Sequence, residues 1–192
     1  LAGNLMVSGN THEVAGQRPA LPRCRMHGCL RHLPVSSRPM EHSWRISKYW
    51  QRTPEGYLWS PPEEWTDFSD VGKRVSIEDY LVVEDAYLDA IRRFCVGIGV
   101  ESLRIQSLSS HGPCQYHEGQ QLGLHEIERV ARGVLRNAFW CKLVCQNAEV
   151  HFGYDYYMYA VSSVDASAAL ADANPLLNIE RFCSPYLPER EG

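Results

Sequence analysis

No run of 18 apolar residues occurs anywhere in the 192-residue chain, so it offers no segment of the length and apolarity that a bilayer-spanning helix needs. It also lacks the basic start followed by an apolar run that marks a secretion signal. Clustered Lys and Arg are missing from most of the chain. Residues 1–39 hold five Arg and one Glu, a net of +4, and the whole chain carries −4, so residues 40–192 carry −8. That balance argues against nucleic acid, because phosphate-backbone binding depends on grouped cations, and it suits a basic partner. An even set of cysteines is absent too. Cys24, Cys29, Cys95, Cys114, Cys141, Cys145 and Cys183 make seven, most of them within apolar patterns. This reads as small reduced core residues of a cytoplasmic protein, not a disulfide framework. There is no phosphate loop, dinucleotide fingerprint, nucleophile elbow or HExxH pair, so no cofactor is expected. No internal repeat is present.

What remains is ordinary globular material, 44% hydrophobic and 22% charged, in a length that suits one domain. Leu1 to Pro39 is rich in Pro, Gly, Ser, Arg and His without periodicity. It reads as a non-native or disordered leader, with the domain expected over residues 40–192 and Met40 as its natural start. Within the leader, Cys24, His27, Cys29 and His32 carry zinc-ligand chemistry but lack the longer loop that separates ligand pairs in zinc modules.

The domain reads as α+β, in the order β-α-β-α-β-β-α-β, with about five strands in a mixed sheet, two long helices and one short one. Trp44 to Trp50 alternates as a strand. Residues 52–75 form a long aromatic loop containing Trp59, Trp65 and Phe68. Ser76 and Asp79 resemble a capping box opening a helix to about Val96. Its apolar face is Ile77, Tyr80, Leu81, Tyr87, Leu88, Ile91, Phe94 and Cys95. Residues 102–108 read as a strand and 109–123 as a polar loop. Leu124 to Arg136 reads as a second amphipathic helix, with Glu128, Arg129, Arg132 and Arg136 facing water. Phe139 to Cys145 and Val150 to Val161 read as a hairpin joined at Asn147-Ala148. A short helix over 165–173, N-capped by Asp165, and a strand over 177–183 complete the pattern.

Three groups carry candidate chemistry. Glu84 falls inside the apolar stripe of the first helix, so it must be paired, hydrogen-bonded or protonated. Arg45, Arg104, His151 and the tyrosines are its candidate partners. It is either a ligand-facing acid or a buried anchor. Alternation through 151–159 places His151, Asp155, Tyr157 and Tyr159 on one side, where a partner could bind or His151 and Asp155 could act as base and orienter. His111, Cys114 and His117 offer three metal donors in one loop, short of the fourth that zinc wants.

Several segments resemble a family of small bacterial proteins without an established activity: Trp44-Arg45-Ile46-Ser47-Lys48-Tyr49, Glu64 to Gly72, Glu78 to Tyr87, His151 to Tyr159, and Phe182 to Tyr186. The resemblance covers nearly all of 40–192 and implies no activity of its own. Size and acidity are similar in style to bacterial immunity proteins. The first functional expectation is therefore a non-enzymatic binding protein, of immunity-inhibitor type, that meets a basic protein partner through Trp65, Asp67, Asp70, Asp155, Tyr157 and Tyr159. The alternative is a small hydrolase-like enzyme using Glu84, His151 and Asp155, which requires those three to converge.

Overall fold

The computed structural model describes residues 40–187, and the leader with its Cys24, His27, Cys29 and His32 lies outside them. Seven strands form one sheet: β1 (His42–Ser47), β2 (Ser102–Ser109), β3 (Gln121–Gly123), β4 (Trp140–Val144), β5 (Ala148–Phe152), β6 (Met158–Ser162) and β7 (Asn178–Arg181). Their spatial order is β3-β2-β4-β5-β6-β1-β7. Every pairing of strands is antiparallel. The helices are α1 (Ile77–Gly97), α2 (Leu124–Leu135) and α3 (Ser167–Ala171).

The α+β reading holds in outline, with one correction to the sheet. Its seven strands are roughly in line with the five or so expected, but it is antiparallel where a mixed sheet is expected. β3 is too short to show periodicity, with Leu122 as its one buried residue. The expected strand over 150–161 is two strands separated by a turn, because the chain folds back at Gly153 to Tyr157.

Alternation decides which side of the sheet each residue serves. Registered partners carry an apolar row across five strands: Ile105, Leu143, Val150, Ala160 and Trp44. The three helices contribute to the same core cluster, α1 through Tyr87, Ile91 and Phe94, α2 through Ile127, Val130 and Val134, and α3 through Leu170. The opposite face carries the row His151, Tyr159, Arg45 and Glu180. The chain after β7 covers part of that face, with Phe182 and Tyr186 against Tyr159 and Tyr186 against His151.

Local signals explain the helix ends. Ser76 accepts the Asp79 amide at 3.0 Å and caps α1, and Gly99 turns the chain with φ of +69°. Ile77, expected on the apolar face, is 42% exposed, because it precedes the packed part of the helix, which starts at Tyr80. Asp165 accepts the Ser167 amide at 2.8 Å, but the N-cap position belongs to Ala166.

Candidate functional site

The turn between β5 and β6 borders a cleft. Tyr157 N–H donates to Tyr154 O at 3.0 Å, and Gly153 N–H donates to Tyr157 O at 2.7 Å. The two central residues, Asp155 and Tyr156, have φ of 54° and 57°. Two positive φ values make this a turn of the I′ kind, which favours Asn-Gly. Asp tolerates that region; a bulky Tyr is strained there, by roughly 1–2 kcal/mol. Burial of the ring holds Tyr156 in place. It packs against Trp65 at 4.9 Å and Tyr87 at 6.0 Å. Its hydroxyl donates to Leu135 O at 2.8 Å, and its carbonyl accepts from the Tyr87 hydroxyl at 2.5 Å. Burial pushes its phenol up to about 12.

Beside this turn lies an open cleft of about 620 Å³. Val134, Leu135, Phe139 and Met158 supply apolar wall, and Trp140, Tyr154 and Tyr186 supply aromatic faces. Asp67 and Asp155 bring two carboxylates, and no Lys or Arg is among the described lining residues. Burial pushes the Asp67 carboxyl up, but hydrogen bonds from Ser69 and Asn137 outweigh it and hold the group below the ordinary range. Lys73 lies within electrostatic reach of Asp67, and Lys48 of Asp155. Lys48 Nζ itself is bound to Glu64 at 2.7 Å. Asn137, at φ 57° just past α2, also lines the cleft, so three of the four described non-Gly residues with positive φ gather there. Strained backbone concentrates at sites that bind or switch.

The structure sorts the expected binding residues. Asp67, Asp155 and Tyr157 line the cleft. Trp65 and Tyr159 do not present themselves to a partner, being 9% and 7% exposed. Trp65 is wedged between Tyr80 and Tyr156, and Tyr159 lies under Phe182 and Tyr186. Asp70 spends one carboxylate oxygen on its own loop, accepting from Thr66 N at 2.9 Å and Asp67 N at 3.3 Å. Sequence reasoning missed Tyr154, Trp140, Tyr186 and Asn137. Strict alternation through 151–159 puts Tyr154 on the side opposite Asp155, with the core residues, yet the turn leaves it 89% exposed.

Glu84, His151 and Asp155 do not converge. Glu84 is fully buried on the helix side of the sheet. Tyr80 donates to its Oε1 at 2.9 Å. Arg136 adds a forked contact, Nε to Oε1 at 2.6 Å and Nη2 to Oε2 at 2.8 Å, and Arg132 also donates to Oε2. Of the expected partners only a tyrosine is used. Arg132 and Arg136, expected to face water, close on this carboxylate because their positions on α2 overlook α1.

His151 sits on the other face, fully buried. Its Nδ1 meets Ser184 Oγ at 2.8 Å, and its Nε2 meets Glu149 Oε2 at 2.6 Å. The arrangement is Ser-His-Glu in type, but Ser184 is 3% exposed and neither it nor His151 lines the cleft. Both ring nitrogens are engaged, and the set fastens the segment after β7 to the sheet. Asp155 joins neither set; it sits at the turn, with Ser60 Oγ at 3.4 Å.

Among the described residues no group of three His, Cys, Asp or Glu side chains is placed to hold a metal. The expected trio therefore does not assemble. His111 lines the cleft, while Nδ1 of His117 faces Glu118 O at 3.2 Å and Cys114 lies towards Cys141, whose thiol burial pushes up to about 12. No described helix is long and apolar enough to cross a membrane.

No family model, curated protein or solved structure matches the chain.

Proposed function

We propose that this is a non-enzymatic binding protein that engages a basic protein partner, in the manner of an immunity-type inhibitor that neutralises its target by covering it. One observation carries the reading: the cleft at the β5–β6 turn combines Asp67 and Asp155 with aromatic walls and has no Lys or Arg in its described lining. The net charge of −8 over residues 40–192 acts in the same direction at longer range. Of the residues first expected to meet a partner, Asp67, Asp155 and Tyr157 keep that role, and Tyr154, Trp140 and Tyr186 join them.

Attraction between a negative surface and a basic partner speeds encounter and weakens with salt, because exposed charges are screened within about 10 Å at 0.1 M. A labelled polyarginine peptide titrated onto the full chain tests this by fluorescence anisotropy at two salt concentrations. Saturable binding at low salt that weakens strongly at high salt supports the reading. Absence of binding, or binding indifferent to salt, overturns it.

A further inference from the structure

The cleft suits one kind of group on such a partner. We infer that it receives the guanidinium of a single projecting arginine side chain, an inference that rests on the basic-partner reading above. Charge is the first reason. Asp67 and Asp155 line a space with no Lys or Arg among its described lining residues, and the Asp67 carboxyl, held below its ordinary range by its hydrogen bonds, stays charged to low pH.

Shape is the second. A guanidinium is planar, stacks on aromatic faces and offers its donors in a fixed fork, whereas an ammonium is a compact, strongly hydrated point charge. Trp140 and Tyr186 present rings that are already held. The Trp140 indole N–H donates to Phe152 O at 2.8 Å, and its ring lies 6.3 Å from that of Tyr186. Lys142 Nζ donates to the Tyr186 carbonyl at 2.9 Å, tying down the backbone beneath that ring. Walls set before the ligand arrives spare the ordering cost that binding otherwise incurs. Tyr154 is the exception, almost fully exposed. It lies within electrostatic reach of Tyr186 and is the ring that can fold over a bound side chain.

The test uses the full chain and isothermal titration calorimetry with short Gly/Ser peptides carrying one central Arg, Lys or citrulline. Citrulline keeps the shape of arginine and removes its charge. The Arg peptide is expected to bind about tenfold more tightly than the Lys peptide, and the citrulline peptide to lose binding. Asp67→Asn and Asp155→Asn should each weaken the Arg peptide roughly tenfold. Asn accepts the same turn conformation at 155 and the same capping role at 67, so both variants should fold, and thermal unfolding checks that they do. Tyr154→Ala, at an exposed position, gives an independent third variant and should also weaken binding. Equal binding of the Arg and citrulline peptides overturns the inference. So does an Arg peptide that fails to bind, or that binds all three variants like wild type. If polyarginine still binds in a salt-sensitive way, only the arginine cleft has failed. If polyarginine does not bind at any salt, both readings fail.

Discussion

Glu84→Gln removes one charge and almost no volume, and its cost can be worked from the contacts. The carboxylate is fully buried and accepts from four donors on three side chains, of which Arg132 and Arg136 are cationic. Each oxygen faces at least one guanidinium. A glutamine must therefore turn its NH₂ towards a cation whichever way the amide is placed. Removing one member of a fully buried ion pair costs about 3–5 kcal/mol. Here the two arginine side chains are 38% and 35% exposed and can recover water, so the expectation drops to roughly 2–3 kcal/mol. Asp85→Asn is the control. Asp85 touches the same Arg132 at 3.4 Å but is 69% exposed at its side chain, and it should cost under about 0.5 kcal/mol. Urea unfolding followed by circular dichroism measures both. The midpoint of Glu84→Gln should fall by roughly 1 M or more at unchanged slope. If Glu84→Gln unfolds within about 0.5 kcal/mol of wild type, the cluster is not what locks α1 to α2.

Gly97→Ala should destabilise, although Ala in a helix interior is otherwise favoured by about 1 kcal/mol. The added Cβ would lie 2.3 Å from the Ala169 Cβ, which cannot move without displacing α3. The loss should be about 1–3 kcal/mol, and Ala169→Gly in the same chain should recover most of it. A stabilised single variant in thermal melts would refute the contact. Glu149 supplies a pH test. The hydrogen bond from His151 outweighs burial and holds its carboxyl below the ordinary glutamate value. A depressed folded value means the contribution is full above the unfolded value, about 4.3, and is lost as pH falls through the folded one. Urea midpoints taken downward from pH 7 should therefore decline more steeply below that value in wild type than in Glu149→Gln. Parallel profiles would remove Glu149 from the account.

Much of the local architecture was legible in the chain, because helical periodicity and capping depend on near neighbours. Ser76, the spacing from Tyr80 to Cys95, and the stripe from Ile127 to Leu135 specified α1 and α2 to within a residue or two. The α1 stripe also placed Glu84 among buried side chains, since a polar residue within an apolar face is carried inward with it.

Tertiary structure alone decided what Glu84 meets. Its arginine partners lie 48 and 52 residues away, and their own helix pattern marks them as solvent-facing. Strand order was equally out of reach, since β1 lies between β6 and β7 and no local pattern encodes which distant strands pair. The cleft was hidden for a third reason. Alternation assumes an unbroken strand, and at Asp155 and Tyr156 the chain adopts positive φ, which reverses its direction and frees Tyr154. Periodicity and capping marked which residues needed burial and which segments were helical, because both depend on near neighbours. Only packing, which holds Tyr156 in a strained backbone, brings Trp140 and Tyr186 into one cleft with Asp67 and Asp155.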